Sequence, residues 1–345
     1  MQKSKILLVF SVLFFLVMFT SFTSKSSKVK KTVQDEVDKA VKGAYDGMIL
    51  HVNQAQMSTT YTAGWKNKKN QIPADANSLF KIASISKLYI AAAVTKLVYM
   101  GNLNLDDSLV KLIPEVADNI QYADQITLRM MLKHRSGIPE YIFQPGFAGS
   151  DPNLSYMKTI ALIYDEPADF KPNKNNKYSN TNYLIIGEIL DRTLGYSHHK
   201  YIKNKILDPL GLKNTYNLSS EVNSDDIMSG YYVDNDTDLK NIEEHTRPGG
   251  SMIATAKDVG IFLRALIDGT LFNAKEQEIY SSVYTYEHTG WVNGYTSIVR
   301  YHKDIDAVIV QFVNTSKGAF FWVRLKRDYK RIVKTIKKNI SSKTD

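Results

Sequence analysis

The sequence predicts an α/β (α+β) fold: an antiparallel sheet flanked by terminal helices, with a mostly helical subdomain set between the sheet segments. Three observations carry this expectation. Strand-like segments rich in β-branched and aromatic residues lie near both ends of the chain, Gly47–Asn53 with Thr59–Trp65 early and three more between 283 and 314. Between them, from about 101 to 270, apolar residues recur at helical spacing among long polar loops. Amphipathic stretches precede the first strand and follow the last. Strands at both ends of one chain complete a single sheet most simply if the helical region is an insertion.

Taken in order, the chain opens with Lys3 and Lys5, an apolar run from Ile6 to Phe19 broken only by Ser11, and Thr20–Ser24. A spanning helix needs about 20 apolar residues, so this run fits a secretory h-region better. Residues 1–24 are therefore expected to be a signal peptide or N-terminal membrane anchor, and 25–345 the exported domain. Lys30–Ala44 reads as an amphipathic helix, followed by the hairpin of Gly47–Asn53 and Thr59–Trp65. A buried helix is expected from Ser84 to Met100, ended by Gly101. Ser108 and Thr127 sit at capped helix starts, and His134–Pro139 forms a turn by its Gly and Pro. Further helices are expected over Asn182–Leu194, Tyr201–Leu207 and Lys257–Leu266. Val283–His288, Thr296–His302 and Ala307–Asn314 read as an antiparallel meander, and Phe320–Ile340 as a basic amphipathic helix.

Composition excludes several chemistries. The chain has 345 residues, a formal net charge of +9 and no cysteine, which removes disulfides, thiol catalysis and Cys-ligated zinc together. The positive charge is scattered, without the basic–aromatic block of a nucleic-acid surface, so no nucleic-acid partner is expected. No metal site is expected either: His198–His199 lies in a polar helical stretch and reads as a surface pair.

The chemistry centres on Phe80–Val94, where polar sequence gives way to a helix starting near Ser84. Residues three apart on a helix share a face, which sets Lys87 beside Ser84. A serine hydroxyl is a weak nucleophile until a neighbouring base takes its proton. At a helix start its own N–H is unpaired and available to a developing oxyanion. The spacing alone is uninformative, since Ser-x-x-Lys recurs at Ser27, Ser155 and Ser197. Two downstream segments add weight. Tyr178-Ser179-Asn180, the only Tyr-x-Asn of the chain, leads into a helix; its phenol can exchange a proton with the serine and its amide can bind a carbonyl. His288-Thr289-Gly290, with Trp291 after it, ends an expected strand, whose edge can bind an extended substrate and whose Trp291 N–H can serve as second oxyanion donor. In isolation each reads more readily as a helix cap or a strand end.

As an ordered set, Ser84-x-x-Lys87, Tyr178-x-Asn180 and His288-Thr289-Gly290 resemble the serine β-lactamase/penicillin-binding protein superfamily. Within it they resemble the branch of class C β-lactamases, D-Ala-D-Ala carboxypeptidases and esterases. Ile126–Tyr141, Asp208–Leu212, Pro248–Met252 and Ala254–Asp258 are similar to further stretches of that branch, and the likeness runs from about 35 to 335. The resemblance implies a β-lactamase/transpeptidase-like fold and an acyl-enzyme mechanism needing no metal or organic cofactor. Ser84 would be the nucleophile, Lys87 and Tyr178 would share the general-base role, and Asn180 would hold the acyl group. Thr289, Gly290 and His288 would line the site, with the Ser84 and Trp291 N–H groups facing the oxyanion. His288 stands where class C β-lactamases have lysine and Trp291 where a small residue is common, which shifts the expectation from β-lactam hydrolysis toward a peptidase or esterase. The expected function is an exported serine hydrolase of D-amino-acid peptides or esters, with small peptides, esters or β-lactams as partners and peptidoglycan stem peptides as the natural candidate. The alternatives are a β-lactamase or carboxylesterase on the same site, or a penicillin-binding sensor with little turnover. Membrane contact is expected only through an uncleaved N-terminal segment.

Overall fold

The computed structural model describes residues 31–54, 57–148, 150–233, 235–241 and 246–344. The expected signal or anchor, residues 1–24, lies outside them. The described chain from Thr32 onward forms one compact unit. Helix α1 (Val33–Ala44) opens it, capped by Thr32 and Asp35, each side chain accepting the other residue's backbone N–H. Strands β1 (Gly47–Gln54), β2 (Met57–Asn67) and β3 (Ile72–Pro73) follow. Helix α2 (Ser86–Tyr99) leads into the helical region, which contains α3 (Asn180–Leu194), α4 (Ala256–Ile267), α5 (Ala274–Val283) and several shorter turns. Strands β4 (Glu287–Val292), β5 (Tyr295–His302) and β6 (Ala307–Val313) return to the sheet, and α6 (Ala319–Thr344) ends it.

The sheet is antiparallel in the order β3-β2-β1-β6-β5-β4, so early and late strands meet where β1 pairs with β6, Met48 opposite Val313 and Gln54 opposite Ala307. Side chains alternate across a strand, and this divides the core in two. Met48, Leu50, Ile309 and Val313 pack against α1 and α6. Ile49, Val308, Val310 and Phe312 pack on the opposite face with α2 and α4. The apolar stripe of α6, Phe321, Leu325, Tyr329, Ile332 and Ile336, is buried on the first face. Gly101, at φ +77°, ends α2 as expected, with Asn102 N–H donating back to Leu97 at 2.9 Å.

Two expectations need correction. Val283–His288 is not a strand: Asn273 and Glu276 cap a helix that runs to Val283, and the edge strand begins at Glu287. His288 therefore lies near the start of its strand, which continues through Trp291. His198 is fully buried, its Nδ1 2.7 Å from Asp191, so the His198–His199 pair is not a surface pair. Two of the repeated Ser-x-x-Lys spacings are helix caps: Ser155 accepts from Lys158 N–H and Ser197 from His199 N–H.

Candidate active site

The site is built where the helical region meets the edge of the sheet. Phe80 stacks on Phe312 of the sheet at 4.4 Å and meets Tyr295 edge-on at 5.1 Å, which fixes the chain just before the turn. The short strand Phe80–Lys81 pairs with Ile253–Ala254, and Ile82 N–H donates to Met252 O. A 3-10 turn, Ala83–Ile85, precedes α2. Ala83 has φ +50°, a left-handed conformation costing a non-glycine residue about 1–2 kcal/mol. Ser86 holds it there: its hydroxyl donates to Ala83 O at 2.6 Å and accepts Met252 N–H at 3.2 Å. The turn presents Ser84 partly exposed while its neighbours are buried.

Lys87, only 1% exposed, is the second residue of α2, one turn beyond Ser84. Its Nζ is 3.1 Å from Ser84 Oγ, 2.8 Å from Asn180 Oδ1 and 2.8 Å from Gly249 O. The last two can only accept, so two N–H bonds are committed and the remaining Nζ position, proton or lone pair, faces Ser84. Nζ also stands over the rings of Tyr178 and Tyr183 at 5.1 and 5.2 Å. Tyr178 OH is 2.7 Å from Ser84 Oγ. The serine hydroxyl thus touches both groups that could take its proton.

Two residues outside the expected set hold these groups. Glu140, on the loop before the turn Tyr141–Phe143, accepts the backbone N–H of Asn180 at 2.7 Å and its side-chain Nδ2 at 3.0 Å. A carboxylate only accepts, so this contact sets the Asn180 amide with Oδ1 toward Lys87. Burial raises the pKa of Glu140, against the lowering effect of its hydrogen bonds and of Lys87. His134, at φ +55°, stacks under Tyr178 with ring centroids 4.4 Å apart, and its Nδ1 accepts Ser179 N–H at 3.2 Å. Burial, with Lys87 and His288 nearby, lowers its pKa to about 3, so the ring is neutral at physiological pH.

Strand β4 forms the opposite wall. A Cβ on Gly290 would lie 2.3 Å from both Ile82 O and Ser297 Oγ, so only glycine lets the strand approach the turn that carries Ser84 this closely. Thr289 is exposed and pairs with Ile298, and Trp291, 46% exposed, pairs with Thr296. His288 stacks parallel to Tyr284 at 6.1 Å and has its ring 6.4 Å from that of Tyr178. Burial, then Lys87, lowers its pKa to about 4. The structure thus brings Ser84, Lys87, Tyr178 and Asn180 into direct contact and sets His288–Trp291 along the facing strand. Glu140 and Gly249 were legible beforehand only as parts of the stretches Ile126–Tyr141 and Pro248–Met252, and His134 only as a residue of a turn.

This constellation, on an antiparallel sheet with a helical insertion, is that of a serine hydrolase working through an activated hydroxyl. A family model described as Beta-lactamase matches residues 29–283, and the chain belongs to that family. Its sequence is 28% identical over 215 residues to the Protein flp of Staphylococcus aureus (strain NCTC 8325 / PS 47), covering 61% of this chain and 43% of that protein. It is 31% identical over 151 residues to a Salmonella paratyphi A protein provisionally named a D-alanyl-D-alanine carboxypeptidase, covering 42% of this chain and 35% of that one. The matches therefore span less than half the length of these relatives. The fold is also that of the D-amino acid amidase of Ochrobactrum anthropi SV3, with TM-score 0.79, 24% identity and coverage of 89% of this chain and 98% of the amidase. The octameric penicillin-binding protein homologue of Pyrococcus abyssi superposes with TM-score 0.70 at 23% identity, covering 82% and 73% respectively.

Proposed function

We propose that this serine hydrolase cleaves amides or esters whose acyl part is a D-amino acid, through an acyl-enzyme on Ser84, and that it does so outside the cytoplasmic membrane. The observation that carries the reading is the Ser84 hydroxyl held between Tyr178 at 2.7 Å and Lys87 at 3.1 Å. Ser84 Oγ attacks the substrate carbonyl carbon while its proton passes to the Tyr178–Lys87 pair. The tetrahedral oxyanion lies between the Ser84 and Trp291 N–H groups. Collapse breaks the bond to the leaving amine or alcohol, which takes the proton back from the pair. Water then attacks the Ser84 ester by the same route in reverse and frees the acid. Asn180 orients the acyl group, and Thr289 with His288 faces the leaving-group side.

A D-amino-acid substrate is supported by the provisional name of the Salmonella relative and by the fold shared with D-amino acid amidase. Neutral His288 in place of a lysine leaves that side of the site without a fixed positive charge, which favours amide, ester or short-peptide leaving groups over strongly anionic ones. Export is supported by the Lys3–Lys5 and Ile6–Phe19 pattern, and cell-wall stem peptides are the matching substrate class in that compartment.

The test is intact mass over time with a D-alanyl-D-alanine peptide, a D-aminoacyl amide and a penicillin, beside Ser84→Ala. Turnover of either D-amino-acid substrate that vanishes in Ser84→Ala supports the proposal. Fast penicillin hydrolysis with neither of them cleaved makes the protein a β-lactamase. A lasting penicillin adduct without turnover of any substrate makes it a sensor. Adducts or turnover that survive Ser84→Ala refute the assignment of the nucleophile.

A further inference from the structure

The C-terminal helix α6 has one face committed to the sheet, while another carries an ordered pattern that the hydrolase site does not use. Phe320 is 92% exposed and Val323 68% exposed, and neither is covered by any other described element. Arg327, Lys330, Lys334 and Lys338 continue on the solvent side. At 100° per residue these six positions fall within a stripe about 80° wide and about 27 Å long. No acidic residue lies on the stripe; the single carboxylate of the helix, Asp328, is 2% exposed and turned inward to Tyr45 and Arg331. Arg327 comes no nearer to it than 3.8 Å. Among the described residues Lys330, Lys334 and Lys338 have no carboxylate within ion-pair distance, whereas Lys337, beside the stripe, is held by Asp304.

The exposed Phe320 and Val323, which gain nothing from bulk water, head a row of cations of which Lys330, Lys334 and Lys338 lack a carboxylate partner among the described residues. They match a surface that accepts apolar side chains at one depth and cations at another. Helix α1 runs alongside α6, with Glu36 paired to Arg331 and Tyr45 against Phe321. Thr32 caps α1 one turn before Glu36, whose partner Arg331 lies on α6 next to the stripe. Lys25, Lys28, Lys30 and Lys31 precede it in the sequence.

We propose that the outer stripe of α6 is a docking surface for an anionic lipid bilayer, with Phe320 and Val323 inserted at the headgroup boundary and Arg327, Lys330, Lys334 and Lys338 over the lipid phosphates. Electrostatics brings the stripe to the surface, and the two apolar side chains make the contact dependent on a membrane rather than on any polyanion. With residues 1–24 as an uncleaved anchor, the stripe would orient an already tethered enzyme.

Because the chain lacks cysteine, Val323→Cys creates a unique site for an environment-sensitive fluorophore. The labelled 345-residue chain is reconstituted into vesicles of neutral phosphatidylcholine or of phosphatidylcholine with phosphatidylglycerol. The expected result is blue-shifted emission, quenched by spin-labelled lipid, in the phosphatidylglycerol vesicles only. It should be reversed by 0.5 M salt and abolished by K330Q/K334Q/K338Q, which removes about a hundredfold of the surface partitioning at about fivefold per cation. The triple variant keeps its hydrolase activity, since none of the three lysines is near Ser84. Emission that is the same in both vesicles, or unchanged in the triple variant, overturns the proposal. A blue shift produced equally by soluble polyphosphate overturns it as well, by making the stripe a general polyanion site.

Discussion

Replacement of Glu140 separates two roles that one carboxylate combines. Its Oε2 accepts both the backbone N–H and the side-chain Nδ2 of Asn180, and its charge lies in a buried setting near Lys87. Glu140→Ala leaves two donors of Asn180 without their acceptor, and an unmet buried donor costs about 1–3 kcal/mol. Part of that cost is relieved by rotation of the amide, which takes Oδ1 from Lys87 Nζ. The expected loss of transition-state stabilisation is about 3 kcal/mol, or roughly a hundredfold in kcat/KM at 1.4 kcal/mol per decade. Glu140→Gln keeps an acceptor at the Oε2 position and loses the charge together with the weaker Oε1 contact to Ile142 N–H. Charge-assisted hydrogen bonds are about twice as strong as neutral ones, so the expected loss is about 1 kcal/mol, roughly fivefold. The assay is the rate constant for acylation of Ser84 by whichever substrate labels it, followed by mass, with thermal melts to confirm that each variant is folded. An alanine variant that acylates within threefold of the parent refutes the positioning role. Equal losses in the two variants would mean that charge, not orientation, is what Glu140 supplies.

Other substitutions follow from the same geometry. Gly290→Ala sets a methyl against Ile82 O and Ser297 Oγ at 2.3 Å, so β4 must withdraw from the nucleophile turn; kcat should fall at least about a hundredfold, at the scale of a lost oxyanion donor, while the far sheet stays intact by hydrogen exchange. His134 has a folded pKa near 3 against an ordinary 6.5, so its contribution to stability is complete above pH 6.5 and is lost as pH falls toward 3, at about 1.4 kcal/mol per pH unit. His134→Asn, which tolerates positive φ and can accept Ser179 N–H, should remove that slope, read from urea midpoints at pH 7 and pH 4.5. Ser155→Ala should cost about 1 kcal/mol of stability through loss of a helix cap and leave hydrolysis unchanged, despite sharing its spacing with Ser84.

The local pattern of the chain carried its architecture well, because periodicity is a short-range property. β-branched alternation marked the hairpin β1–β2 and the later strands, and the apolar run after Ser86 marked a buried helix. It failed where a cap outweighed composition. The β-branched and aromatic content near Val283 looked strand-like, but Asn273 and Glu276 start a helix that ends there. His198 looked solvated in a polar stretch, yet Asp191, one helix earlier, takes its ring inward.

At the site, the residue types and their order were readable along the chain, since Ser84 and Lys87 share a helical face and Tyr178 and Asn180 flank a helix start. What remained hidden was everything that depends on side chains from separate elements meeting. Glu140 and His134 looked like parts of a turn until the fold set them against Asn180 and Tyr178, 40 and 44 residues further along. Gly249 offers Lys87 a backbone carbonyl, and no residue identity announces that. Nor does spacing distinguish Ser84 from Ser155, which serves as a helix cap. Ser84 differs because a left-handed Ala83, tied down by Ser86 and Met252, turns its hydroxyl toward Lys87 and Tyr178, and that geometry exists only once Met252, 166 positions after Ser86, has folded back.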